Sequence, residues 1–308
     1  MSGIGSGNGI AEEKAGLRKR LAPLMIIAAG CLWGCMGILV RTLNQAGLGT
    51  MEIVAVRCLV TFLCMLIGMG LLQRDAIRVK LQDIWCFFGT GILSIVFFNY
   101  CYFKTITMTS LSVAAILLYT APALVMAMSA MFFGERMSVR KLAALGLTFA
   151  GCVCVTGGFD SRTLSAGGVL TGLGAGLGYA LYSIFSRFAI DRGYQSLTIT
   201  LWTFGIGAVG CVPLTDTARI AASFRSDPSV ILSAGFWIFM TTVLAYILYT
   251  MGLQYMETGR ASVISSIEPV VASVLGVALY RETISWYGIA GIVLVISAII
   301  MINQKDHD

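Results

Sequence analysis

Of the 308 residues, 57% are hydrophobic and only 12% carry a charge, whereas a soluble domain is closer to half apolar and a quarter charged. This balance excludes a water-soluble fold around one core, and a net charge of +6 scattered between long apolar runs excludes a nucleic-acid-binding surface. The runs are continuous rather than alternating, which excludes a transmembrane barrel made of strands of about ten residues.

The chain opens with "MSGIGSGNGIAEEKAGLRKR", which is polar and Gly-rich, then basic. Residues 1–21 read as a disordered, dispensable cytosolic tail. They do not read as a signal peptide, because the apolar run that follows is long enough to span. A hydrocarbon core of about 30 Å takes roughly 20 helical residues to cross. Runs of that size fall at 22–43, 51–72, 83–104, 112–133, 138–157, 167–190, 196–215, 232–255, 260–281 and 285–303. They predict an all-α integral membrane protein with ten transmembrane helices. "GFDSRTLSA" at 158–166 is the predicted linker between halves 22–157 and 167–303, and 304–308 is a second cytosolic tail.

With the N-terminus inside, fourteen Lys and Arg fall in the inner tails and loops. Six fall outside, and Arg57 lies within a span. Positive residues collect on the cytoplasmic side of membrane proteins, so both termini are predicted to be cytoplasmic in a multi-pass cell-membrane protein. The bias is strongest in the first half, at Lys14 to Arg20, Arg74 to Lys80 and Arg136 to Lys141.

All nine cysteines lie inside apolar spans, none has a CxxC partner, and the single histidine, His307, is in the C-terminal tail. Buried Cys behaves as a small hydrophobe, so neither metal, cofactor nor disulfide is expected. "GLGAGLGYA" at 172–180 fails GxGxxG and follows no strand, which removes a nucleotide loop. Gly30–Gly34, Gly172–Gly176 and Gly174–Gly178 fit the small-xxx-small spacing that lets membrane helices approach closely, for static packing or for sliding.

The two halves repeat. At an offset of 147, the segment from Tyr102 lies over that from Tyr249: Ala114 meets Ala261, Pro122 meets Pro269, Glu135 meets Glu282 and Ser138 meets Ser285. At an offset of 146, "GCLWGCMGILVR" lies over "GLGYALYSIFSR", so Gly30 meets Gly176, Trp33 meets Tyr179 and Arg41 meets Arg187. Five spans per copy is an odd number, so the copies must enter the membrane from opposite sides, as in transporters built from inverted repeats.

Two intramembrane charges stand out. "ISSIEPVVASV" places Glu268 beside Pro269, eight residues past Arg260 and so about 12 Å along the helix. A charged side chain at that depth costs on the order of 3 kcal/mol. Glu268 therefore faces a wet cavity, has a partner, or carries a proton; the alternative is a neutral Glu bonded within the bundle. Desolvation favours the protonated carboxyl, while water or a bound ammonium group favours the ionised one. One side chain can thus exchange a proton for a cationic substrate, which makes Glu268 the candidate proton-coupling residue. Arg57 lies six residues into helix 2 from its outer side. It either snorkels about 9 Å to the interface or meets a substrate carboxylate, and Glu52 and Arg41 frame it. Proline inside a helix removes a backbone bond: Pro122 would free the Leu118 carbonyl and Pro269 that of Ser265. The two are candidate hinges, with packed kinks as the alternative. Glu135 and Glu282 are expected to anchor helix ends through backbone or through Arg136 and Arg281.

Two five-helix repeats, "LWG" in the first helix with an Arg at its end, and "P…GE" closing the fourth resemble the EamA family of the drug/metabolite transporter superfamily, over about Ala22 to Asn303. The resemblance implies a basket of ten helices with a central cavity lined by helices 1, 3, 4, 6, 8 and 9, and with helices 5 and 10 outside. On those lining helices lie the candidate substrate-binding residues Trp33, Asn99, Tyr119, Tyr179, Tyr182, Tyr246, Ser265, Ser266 and Glu268; packing or interface roles are the alternative for the aromatics. The second repeat departs from the pattern, with "YRE" where the first has "FGE".

The function expected is a secondary transporter, and an exporter, of small organic metabolites such as amino acids or drug-like compounds. It would act by alternating access as a monomer or homodimer in the bilayer. A facilitator or uniporter is the alternative. An intramembrane enzyme fares worse: HExxH, GxSxG and GxGD are all absent and no catalytic residue is nominated. A structural scaffold does not need ten spans, and no Walker motif supports ATP-driven transport.

Overall fold

The computed structural model describes residues 5–157, 165–226 and 229–304. Helix is the only regular structure among them. Nine helices are long and apolar enough to cross a membrane: α1 (Gly16–Gln45), α2 (Thr50–Leu72), α3 (Leu81–Met108), α4 (Leu111–Phe133), α6 (Ala166–Asp191), α7 (Ser196–Leu214), α8 (Val230–Leu253), α9 (Thr258–Tyr280) and α10 (Trp286–Asn303). The tenth, α5 (Val139–Val155), has 17 residues, about 25 Å at 1.5 Å per residue. The ten form two five-helix repeats of opposite membrane orientation. Leu72, Leu170 and Leu232 are 84%, 73% and 83% exposed, a density of bare leucine that only a lipid surface accommodates.

Helix extends back to Gly5, where the sequence suggests a disordered tail. Ala, Glu, Lys, Leu and Arg in 11–20 are strong helix formers, and the spanning helix removes the cost of nucleating them. Residues 1–4, the linker apart from Ser165 and Ala166, and 305–308 lie outside the described residues. Ser165 belongs to α6 as its cap, accepting from the Gly168 N–H at 3.0 Å.

Without a hydrophobic drive between helices in lipid, packing rests on close approach, and the glycine pairs supply it. A methyl group at Gly30 would lie 2.8 Å from the Ser265 carbonyl oxygen, and one at Gly34 would lie 2.8 Å from that of Glu268. α1 is thereby pressed onto the middle of α9. In the other repeat a methyl at Gly176 would sit 3.0 Å from the Leu117 carbonyl oxygen, and one at Gly178 would sit 2.9 Å from Phe98 Cα. α6 thus carries two glycine rows, one facing α4 and one facing α3. α5 and α10 pack mainly on each other, with Gly151 and Gly291 at their crossing.

The helices that carry Pro122 and Pro269 are broken rather than kinked. α4 stops at Leu118 and restarts at Ala121; α9 stops at Ser265 and restarts at Glu268. Each proline is the second residue of its new half-helix, where its missing N–H leaves no bond unmade. The sequence did not announce two π-helical stretches, Gly89–Val96 in α3 and Phe239–Leu244 in α8. They overlap under the repeat offset of 147, and such turns recur at functional sites.

Candidate functional site

The break in α9 places Glu268 at the head of a half-helix, where the helix dipole favours negative charge. Tyr179 Oη, from α6, donates to Glu268 Oε2 at 3.0 Å. Around this pair the aromatics converge. Trp33 lies 6.3 Å from Tyr179 and 5.1 Å from both Tyr246 and Tyr249, ring centre to ring centre. Tyr182 meets Tyr246 edge-on at 4.9 Å, and Ser183 Oγ and Tyr249 Oη share a hydrogen bond of 2.7 Å. With Phe98, Ser94 and Ile95 from α3, these rings enclose about 20 Å³, room for a single water. Trp33 Nε1 is buried without a hydrogen-bond partner among the described residues. A buried donor left unpaired costs about 1–3 kcal/mol, and here it marks a place for an acceptor group.

Two larger cavities flank the cluster. One of about 490 Å³ opens at the end of the bundle away from the termini, hereafter the far end. It runs between α1, α3, α4, α5 and α9 down to Tyr119, Gly34 and Pro269, beside Glu268. The other, about 700 Å³, opens at the terminal end and is lined by Lys19, Glu135, Arg187, Glu257 and Arg260 among others. The aromatic cluster lies between them.

Arg57 is 8% exposed, and its Nε donates to Thr242 Oγ1 at 3.3 Å, in the π-helical stretch of α8. Thr242 stands one turn before Tyr246, so the guanidinium reaches the edge of the cluster instead of snorkelling away. Arg41, expected near Arg57, is drawn off to Glu282, its Nη2 lying 2.5 Å from Oε1.

Trp33, Tyr179, Tyr182, Tyr246 and Glu268 are thus brought together, and Tyr119 lines the far-end cavity. Three candidates are not brought in. Asn99 Nδ2 donates to the Ile95 carbonyl at 2.7 Å within its own helix. Ser265 and Ser266 both bond the Ser262 carbonyl, at 2.9 and 3.2 Å. A short hydroxyl beside a helix break finds the nearest bare carbonyl, here one turn back. The Ser265 carbonyl, which Pro269 was expected to free, is covered by Gly30. Tyr249, Ser183 and Phe98 were not singled out. The first two lie three and four residues after Tyr246 and Tyr179, on the same helix faces, which is the signal that could have found them.

Glu135 anchors a helix end through backbone, as expected, but the end belongs to another helix: its two side-chain oxygens accept from the backbone N–H groups of Thr258 at 2.6 Å and Gly259 at 3.0 Å. It caps the first turn of α9 from the other repeat. Glu282 pairs with Arg41 and not with Arg281. Among the described residues no group of three or more His, Cys, Asp or Glu could hold a metal.

The EamA-like transporter family matches this chain twice, over residues 20–157 and 166–304. An uncharacterized transporter of Archaeoglobus fulgidus is 25% identical, with 92% of this chain and 96% of that one covered. YxxF, an uncharacterized transporter of Bacillus subtilis, is 25% identical over 90% of this chain and 88% of its own. A probable amino-acid metabolite efflux pump of Salmonella typhimurium is 24% identical over 60% of this chain and 65% of that protein. A solved crystal structure superposes with a TM-score of 0.71 at 17% identity, covering 92% of this chain and 96% of its own, which shows a shared fold. Ten helices in two inverted repeats around a central aromatic site, matched in both halves, make this chain a multi-pass membrane transporter that belongs to the EamA-like transporter family.

Proposed function

We propose that the protein is a proton-coupled secondary exporter of small, amino-acid-like metabolites that works by alternating access, with the terminal end in the cytoplasm. The observation that carries this reading is Glu268. It is a carboxylate at a helix break in the middle of a membrane span, bonded to Tyr179 and placed between cavities that open at opposite ends. Trp33, Tyr179, Tyr182, Tyr246 and Tyr249 supply aromatic walls suited to a small organic body, and Trp33 Nε1 an unspent donor. Arg57, across the cluster, is the candidate partner for a substrate carboxylate, as Glu268 is for an amine. The name of the Salmonella typhimurium relative supports the choice of amino-acid metabolites and export.

Glu268 accepts a proton when its surroundings are dry, and an ammonium group or entering water displaces it. Glu268→Gln keeps the shape and removes the titration. In proteoliposomes this variant should insert normally, lose uptake driven by a pH gradient, and show a flat rate between about pH 5.5 and about pH 8.5. Wild-type behaviour across that range would make the carboxylate structural and leave a uniporter as the better reading.

A further inference from the structure

The two repeats are equivalent in sequence but not in their contacts, and the difference is concentrated at one pair of carboxylates. Under the repeat offset of 147, Glu135 corresponds to Glu282, and Thr258 and Gly259 correspond to Leu111 and Ser112. At the terminal end, Glu135 spans from α4 to the N–H groups of Thr258 and Gly259 and ties the start of α9 to the end of α4. At the far end the same bridge is broken. Glu282 turns to Arg41, and Leu111 and Ser112 line the open cavity together with it.

The backbone that carries the two carboxylates is the same in both places. Gly134 and Arg281 each take a left-handed conformation, with φ of 66° and 56°. The next N–H then bonds six residues back, Glu135 to Ser129 at 3.4 Å and Glu282 to Gly276 at 3.1 Å. Glu282 is therefore held as Glu135 is, within the cavity that also contains its matching acceptor turn. Arg41 holds it away. Arg41 corresponds to Arg187 at an offset of 146, and Arg187 lines the terminal-end cavity with Glu135.

We propose that Glu135 and Glu282 are alternating latches. Each shuts the aromatic cluster off from one end of the bundle by capping the first turn of the other repeat's broken helix. With Glu135 engaged, the cavity at the terminal end is an outer vestibule that reaches neither the cluster nor the break in α9. When one is engaged, the other is parked on the arginine that ends the first helix of its partner repeat. The present structure is the state with Glu135 engaged and Glu282 parked on Arg41. In the opposite state Glu282 caps Leu111 and Ser112, and Arg187 receives Glu135. The latch rests on the alternating-access reading but needs neither a substrate nor proton coupling.

Arg41 and Glu282 form a single ion pair at the surface, 48% and 52% exposed, and a merely structural pair gives the same result whichever partner is removed. The latch requires opposite results. Ala115→Cys reports on the far-end cavity and Gln254→Cys on the terminal-end cavity, both lining residues. Native cysteines are absent from both linings. Maleimide labelling of each site is followed by peptide mass spectrometry on the purified, substrate-free protein in detergent. Glu282→Ala should lower labelling at position 254 relative to 115 by roughly tenfold, the scale of a lost charged cap. Arg41→Ala, which frees Glu282 to engage, should raise that ratio. Glu135→Ala should raise it too, and Glu282→Gln should fall between wild type and Glu282→Ala. The proposal is overturned if Arg41→Ala and Glu282→Ala shift the ratio in the same direction, or if neither moves it. Failure of the Glu268→Gln test would not touch this result, because no transport is measured.

Discussion

Arg281 shows how a single residue records the repeat. The left-handed region costs a residue with a side chain about 1–2 kcal/mol, and Arg281 is the one non-glycine residue with positive φ among those described. In the first repeat Gly134 fills the same position. The departure of "YRE" from "FGE" therefore changes the strain and not the shape, and Glu282 still emerges where Glu135 does. Arg281→Gly should relieve the strain, partly offset by the greater backbone freedom of glycine when unfolded. The melting temperature should rise by roughly 1–3 °C; no rise would mean that a contact of the arginine compensates. Gly134→Arg should lower it. At this scale Glu268 stood out because a buried charge is costly to place in lipid without a partner, and the aromatic residues because they recur on the helices that the family resemblance puts around the cavity. The partner of Arg41 was not legible, since Glu282 lies 241 residues away. Ser265 and Asn99 instead bond carbonyls three and four residues back in their own helices, a local alternative that short polar side chains always have.

Among elements, the broken helices matter most. Pro122 and Pro269 do not bend a continuous helix; each starts a new one after a two-residue turn, and local hydroxyls help hold those turns, as with Thr120 Oγ1 to the Leu117 carbonyl at 2.7 Å. Each break is clamped from outside by a glycine row, Gly30 and Gly34 on α9 and Gly172 and Gly176 on α4. The prolines act as hinges if the turn must reshape during the cycle. The double variant Pro122→Ala/Pro269→Ala should insert fully, since alanine favours helix, yet turn over several-fold more slowly in reconstituted flux assays. Full turnover would reduce both prolines to incidental features. The prolines marked where the two helices are interrupted but not that each restarts, and the glycine spacing marked close approach without naming the partner helix. The π-helical stretches were hidden, because one inserted residue within a uniformly apolar run leaves no mark on composition.

At the level of the whole molecule, opposite orientation of the two repeats makes one end of the protein the image of the other, so under the proposed latch a difference in contacts is a difference in state. α1 is interrupted at Cys35, whereas its counterpart α6 runs unbroken from Ala166 to Asp191. The far-end cavity reaches Tyr119 and Pro269, while the terminal end is tied by Glu135. The proposed orientation puts the terminal end inside the cell. In intact cells a membrane-impermeant maleimide should label Gln45→Cys, at the exposed end of α1, and spare Gln304→Cys, just past α10, until the membrane is opened. The reverse pattern would invert the protein and with it the direction of export.

Alone, the sequence determined the solvent, the number of helices and their pairing into two opposed repeats, because these follow from one-dimensional quantities: run length, charge placement and periodic recurrence. It also determined that Glu268 must be satisfied by something, because a carboxyl in hydrocarbon cannot be left bare. Which groups satisfy it was decided only by tertiary structure: Tyr179 comes from a helix 89 residues away. The same holds for Glu135, whose acceptor role depends on a backbone turn 123 and 124 residues further along the chain, and for Glu282, whose matching turn stands open. A repeat in sequence specifies two equivalent sets of contacts. Which set is made was decided only by the packing of the folded chain, here the set of Glu135.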